Sequence, residues 1–265
     1  MCFAPHCGAK GNLLQLVERV GSLNTFQARR LIEKHSRVID LSAIVEKNLE
    51  KEPQYPDFSQ EVLDRLKVNF WGSEGHKYMK GRGFTDESLD YFDIGYSVRK
   101  SMVVVPMHDP DGNPVGLIGR SISGKAFKNS YLLPKGKTTW NFHRAKFEGD
   151  TAILCESSFD AIRIHQSGFK NVVAVLGGYA SKYHVRQLSR SFSKILIMTD
   201  NDEAGRTLAN SIEDKMVGKK ILYAAYSKEE LYPRGVKDAS DMTDEEIRHV
   251  VRNAISPIKY DEWYN

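Results

Sequence analysis

The stretch from Thr151 to Ala224 constrains the fold more than any other part of the chain. Short apolar runs recur there at residues 152–155, 172–176, 195–198 and 221–224, none of them alternating polar with apolar. Helical patterns over 157–166, 181–190 and from Asp202 to about Lys215 separate them. A strand that is apolar at every position is buried on both faces, and intervening helices supply the cover. The expected core is therefore α/β with a mainly parallel sheet. The carboxyl ends of parallel strands share one edge, where ligands bind. Glu156 directly follows the first run, and Asp200 and Asp202 directly follow the third. Asp160 lies one helical turn beyond Glu156 and can face the same side.

Clustered carboxylates repel unless a cation compensates them. An all-oxygen donor set suits Mg²⁺ or Mn²⁺, hard ions that in phosphoryl transfer activate the attacking hydroxyl and stabilise the leaving oxygen. In Asp200-Asn201-Asp202 the alternation lets both carboxylates point one way, and the helix opening at Glu203-Ala204-Gly205-Arg206 offers free N–H groups to phosphate. Blander readings exist for each acid alone. Asp202 is a good helix N-cap, and Asp160 has Arg163 on its own helix. Placed together on strand-end turns, the acids favour the functional reading. His165 and His184 carry no motif and are expected at the surface, and Cys155 in the core.

Upstream the period changes. Residues 102–107 and 115–120 read as strands joined by the turn Asp109-Pro110-Asp111-Gly112-Asn113, a β-hairpin. Helices are expected over 61–70 and from Thr85 to Tyr91. Net charge is only +4, so segregation of charge matters more than its sum. Basic residues predominate between Lys77 and Lys146, whereas acids cluster near the other end. Arg82, Arg120 and Lys128 are the candidates for contact with nucleic-acid or nucleotide phosphate. Tyr78, Tyr131 and Trp140 offer rings for stacking on unpaired bases, against which core packing is the commoner fate.

Nearer the start, Asn12 opens a helical pattern that Gly21 ends. Asn24 and Gln27 have capping-box spacing before a second helix, with Phe26, Leu31 and Ile32 on its apolar face. The apolar fraction of 41% excludes wholesale disorder. No apolar run is long enough to span a membrane, and the first residues lack the pattern of a signal peptide. A cytoplasmic chain with no membrane partner is expected, in the host cell if a phage encodes it. Its 3 cysteines make no disulfide framework.

Glu156, Gly177-Gly178 and the run from Asp200 to Arg206 resemble a TOPRIM domain, the fold shared by bacterial-type primases, topoisomerases and some nucleases. The Asp-x-Asp-x-Ala-Gly-Arg run resembles the primase version, although Ser157 stands where that family has glycine. The later Asp-Pro-Asp of the family has its nearest match in Lys237-Asp238-Ala239-Ser240-Asp241, which leaves open whether Asp238 or Asp241 reaches a metal. Residues 78–84, 92–96 and 105–120 occur in the order seen in the basic subdomain of bacterial-type, DnaG-like DNA primases. The resemblance implies a division into a remnant zinc-ribbon half with helices (1–47), a linker (48–60), a basic subdomain (61–148), TOPRIM (149–245) and a tail (246–265). It further implies short RNA primers made from NTPs on single-stranded DNA. Glu156, Asp200 and Asp202 would be catalytic and hold Mg²⁺ or Mn²⁺, with Asp160 and Asp238 or Asp241 assisting.

Cys2 and Cys7, before Gly8-Ala9-Lys10-Gly11-Asn12, resemble the last half of the zinc ribbon that begins such primases. With His6 they supply at most three ligands where a structural zinc needs four. Zinc held by this chain alone is not expected. The rest of the ribbon would be lost or lie on another polypeptide, as in a split primase of phage or mobile-element kind. Contact with a replicative helicase is left open. The alternative functions are a TOPRIM nuclease and a non-catalytic, single-strand-binding primase subunit.

Overall fold

The computed structural model describes residues 14–15, 17–18, 24–35, 53–216, 218–224 and 236–257. Two compact units divide the chain, residues 1–52 and 53–265. In the first, α1 (Thr25–His35) begins with the reciprocal cap read from sequence. Asn24 N–H donates to Gln27 Oε1 at 3.0 Å, and Gln27 N–H donates to Asn24 Oδ1 at 2.9 Å. Phe26, expected on the apolar face, is instead 73% exposed, while Ala28 is buried. The Leu31 side chain, Cys2, His6, Cys7 and most of the helix expected over 12–20 lie outside the described residues.

The second unit opens with helices α2 (Gln60–Val68), α3 (Glu74–Gly81) and α4 (Asp86–Tyr91). Ser73 and Thr85 cap α3 and α4 by accepting from the N–H groups of His76 and Ser88. Strands β1 (Gly95–Ser97), β2 (Met102–His108), β3 (Pro114–Ser121) and β4 (Phe127–Asn129) come next as one antiparallel sheet in the order β1-β2-β3-β4. The expected hairpin is β2–β3. Helix α2 lies against β1 so closely that a Cβ on Gly95 would stand 2.8 Å from the Leu66 side chain, which explains the glycine.

After α5 (Phe142–Ala145) come β5 (Thr151–Cys155), α6 (Ser158–Gln166), β6 (Val172–Ala174), α7 (Lys182–Ser191), β7 (Lys194–Ile197), α8 (Glu203–Lys215) and β8 (Lys220–Tyr223). The sheet is parallel throughout, ordered β6-β5-β7-β8, as the unalternating runs required. Its two faces separate with period two. Ile153, Cys155 and Leu196 join a core shared with Phe84, Phe92 and Val105, whereas Leu154, Ile195 and Ile197 pack under α7 and α8 with Leu188 and Leu208. Trp140 joins the two sheets. Its indole N–H donates to the Pro106 carbonyl at 2.8 Å, and its backbone pairs with Ala174. It is therefore core, not a stacking surface.

Three expectations give way to the fold. Residues 246–255 are no tail: α9 (Asp244–Arg252) buries Ile247 and Val250 in the shared core, and Ile255 pairs with Tyr223. Residues 53–59, read as linker, are docked, since Tyr55 donates to the Lys137 carbonyl and Lys137 Nζ to that of Gln54. The histidines are not surface residues. His184 is buried, and His165 is half-buried and stacked on Tyr91 with ring centroids 4.4 Å apart. Among the described residues no helix is long and apolar enough to cross a membrane.

His108, ending β2, and His143, on α5, pack against each other with ring centroids 4.5 Å apart and planes tilted by 41°. Burial, reinforced by Arg144, lowers His108 to about 4, and burial, with His108 and Arg144 adding to it, lowers His143 to about 3. Both rings are thus neutral in the fold but take up protons near pH 6.5 when it unfolds. The stability they permit is complete above pH 6.5 and is lost as pH falls toward 4. Between pH 7 and 4.5 the wild type should lose about 2–4 kcal/mol more than H108Q/H143Q in urea unfolding. Equal losses would remove the pair as the cause.

Candidate active site

Strand β5 places Cys155 in the core and Glu156 at the sheet edge. Ser157 then caps α6. Its hydroxyl accepts from the Asp160 N–H at 3.2 Å, and the Asp160 carboxylate accepts from the Ser157 N–H at 3.3 Å. This reciprocal cap turns Asp160 back toward the strand end, where its Oδ1 accepts from the Ser240 N–H at 3.2 Å. Asp160 is only 4% exposed. Burial, then the charges of Asp238 and Asp200, push its carboxyl well above the usual range. Arg163 does not pair with it. Its guanidinium donates to the carbonyls of Gly83 at 2.9 Å and Arg82 at 2.8 Å, so the helix following Glu156 also grips the loop that carries Arg82.

Beyond β7, Asp200 emerges beside Glu156, and its N–H donates to Glu156 Oε1 at 3.2 Å. Burial, and next the carboxylates of Glu156 and Asp238, push Asp200 up to about 7. Burial raises Glu156 as well. Asp202 behaves oppositely. It caps α8 by accepting from the Gly205 N–H at 2.9 Å, and that bond, with Lys237 beside it, holds its carboxyl below the usual range. Lys237 Nζ stands 3.0 Å from Asp202 and 3.6 Å from Asp200. Asp238 caps the short 3₁₀ turn Ala239–Asp241, accepting from the Ser240 N–H at 3.0 Å and hydroxyl at 2.6 Å. Asp238 lines the cleft with Glu156, Asp160 and Asp200. Asp241 is exposed, and its charge acts on Arg163 instead. Of the two acids left open by sequence, Asp238 joins the cluster.

The cleft holds about 610 Å³, and Arg82, Arg120, Lys125 and Lys135 line it as well. Arg82 donates to the Ser240 hydroxyl at 2.9 Å and to that of Tyr78 at 3.4 Å. Arg120 stacks on Phe127 at 4.6 Å and donates to the Lys125 carbonyl at 3.0 Å. Lys128 is not in the cleft: Phe127 and Asn129 face it, and the strand period turns the residue between them away. Sequence reasoning missed Lys125, Lys135 and Lys237. A signal existed for Lys135, because Ser181 and His184 have capping-box spacing with histidine in place of the usual acid. His184 Nε2 contacts the Lys135 carbonyl at 2.8 Å, and the Ser181 hydroxyl donates to the Gly136 carbonyl at 2.6 Å, which anchors this loop. Tyr131, 90% exposed, and half-buried Tyr78 remain available for stacking.

The donor set of Glu156, Asp200, Asp202 and Asp238 is all oxygen, and a hard divalent cation fits it. Among the described residues no three such side chains already close around a single point. Among the described residues, the Lys237 ammonium stands beside Asp200 and Asp202.

The Toprim domain family matches residues 150–224, from the start of β5 to the end of β8. A DNA primase of Aquifex aeolicus is 25% identical, aligned over 96% of this chain and 58% of its own length. The chain thus spans little more than half of that relative. The solved zinc-binding and RNA polymerase domains of the Aquifex aeolicus primase superpose with a TM-score of 0.61 at 23% identity, covering 94% of this chain and 72% of that one. The RNA polymerase domain of Mycobacterium tuberculosis primase DnaG, in complex with a double-stranded DNA oligomer bearing a 6-nucleotide overhang, gives 0.61 at 17% identity, covering 75% and 79%. The acids at the ends of β5 and β7 therefore sit in a Toprim domain, within a chain that resembles the bacterial-type, DnaG-like DNA primases along most of its length.

Proposed function

We propose that the chain is the polymerising part of a DNA primase, joining NTPs into short RNA primers on single-stranded DNA in the cytoplasm. The observation that carries the reading is the cleft itself. Acids from β5, β7 and the Asp238 turn line it together with five cationic side chains, Arg82, Arg120, Lys125, Lys135 and Lys237. Glu156, Asp200, Asp202 and Asp238 would hold Mg²⁺ or Mn²⁺, with buried Asp160 fixing the Ser240 turn rather than binding metal. Bound there, such an ion would supply Lewis-acid activation of the attacking 3′-hydroxyl and charge neutralisation for the departing pyrophosphate. Of the basic residues lining the cleft, Arg82 and Lys135 would orient the polyphosphate, and Arg120 with Lys125 would hold the template backbone. That chemistry would need no protein base, in keeping with the buried His184 and the half-buried His165.

Synthesis of labelled RNA on single-stranded DNA by the wild type, and its loss in D200N, tests the reading. Cleavage of DNA without NTPs would replace it with a nuclease. Strand binding with no synthesis would replace it with a non-catalytic subunit. Arg120→Ala should weaken single-strand binding and lower the slope of log affinity against log salt by about 1. An unchanged slope would remove Arg120 from the template contact.

A further inference from the structure

We propose that Lys237 is a tethered cation that occupies the metal position between Asp200 and Asp202 and must leave when a divalent ion enters. The inference rests on the reading of these acids as metal ligands, and it adds a residue that competes for their site.

The geometry is specific. Lys237 Nζ bridges the two carboxylates, at 3.0 Å from Asp202 and 3.6 Å from Asp200. Its backbone is fixed to the same loop, since the Asn201 N–H donates to the Lys237 carbonyl at 2.7 Å. The backbone anchor fixes where the side chain starts, and the chain of methylenes lets the ammonium swing. Its side chain is 56% exposed and borders the cleft, so displacement into solvent meets no packed wall. Asp200 is mostly buried among Glu156 and Asp238, an arrangement in which like charges crowd. The ammonium relieves that repulsion in the metal-free protein. A divalent ion bound at the same two carboxylates would relieve it further, and it would repel the ammonium that stands against them.

Replacing Lys237 should have opposite effects in two conditions. In chelator K237M leaves Asp200 and Asp202 without their cation, so it should melt below the wild type. In the presence of metal it has no competitor to displace, so Mn²⁺ should bind roughly threefold to tenfold more tightly. K237R, which keeps the charge, should bind Mn²⁺ like the wild type. The measurement is a Mn²⁺ titration of the full chain by electron paramagnetic resonance, without nucleotide or DNA, paired with thermal melts in chelator. Saturable wild-type binding with unchanged or weaker affinity in K237M would overturn the role of Lys237 and leave the metal reading standing. No saturable binding by either protein would overturn both.

Discussion

Asp200→Asn should abolish primer synthesis yet give a more stable protein. The loss in synthesis should be on the order of 10³-fold, about 4 kcal/mol of transition-state stabilisation, because an amide keeps the shape of the carboxylate and removes its charge toward a cation. Stability moves the other way. In the folded chain Asp200 titrates near 7, raised by burial and by Glu156 and Asp238. An unfolded aspartate titrates near 3.9. The folded state therefore holds this proton more tightly. Stability is full below about pH 4, falls as pH rises through 7, and is flat above. Asparagine has no proton to lose. At pH 8 in chelator D200N should gain about 2–4 kcal/mol, against a ceiling set by a shift of about three units. Glu156 and Asp160, both raised, lend the same sign to the wild-type profile, so part of its slope will persist in D200N. Melts of both proteins at pH 5 and pH 8 make the comparison. A wild type as stable as D200N at pH 8 would mean the acids are not crowded. Retained synthesis would mean Asp200 does not hold the metal.

Much of this site was legible in the sequence because strand ends are legible. The runs ending at Cys155 and Met198 could only be central parallel strands, and parallel strands deliver the residues just beyond their carboxyl ends to one edge. That reasoning placed Glu156, Asp200 and Asp202 from the apolar runs and the helical patterns between them alone. It failed where a short element decides orientation. Strand β4 is three residues long, too short to show a period, so nothing in the sequence said that Asn129 faces the cleft and Lys128 does not. The choice between Asp238 and Asp241 depended on a 3₁₀ turn in which Asp238 becomes the cap and Asp241 points out. Phe26 misled for a related reason. Helical spacing identifies a face but not whether anything packs against it. His184 was misjudged because a histidine in a capping box looks like an ordinary surface residue until the loop it holds is seen.

Gly205 is the position where a single methyl group should do the most damage. In sequence it is the middle of Ala204-Gly205-Arg206, a helix start with no evident need for glycine. In the fold the first turn of α8 lies directly under the loop carrying Asp200. A Cβ on Gly205 would fall 1.9 Å from the Asp200 carbonyl oxygen and 2.7 Å from its carbonyl carbon. Those are backbone atoms, so no side chain can rotate away to make room. Either α8 retreats or the Asp200 loop lifts, and in both cases Asp202 loses its bond to the Gly205 N–H, now 2.9 Å. Gly205→Ala should therefore cost about 2–4 kcal/mol, near the upper end for inserting one carbon into a packed site, even though alanine favours the helix by about 1 kcal/mol. Because the displaced loop carries two of the acids, synthesis should fall by at least tenfold where the variant remains folded. Denaturant unfolding and priming at 25 °C separate the two effects. A variant as stable as the wild type would show that α8 can slide freely past the Asp200 loop, and the close approach would then not be what positions these carboxylates.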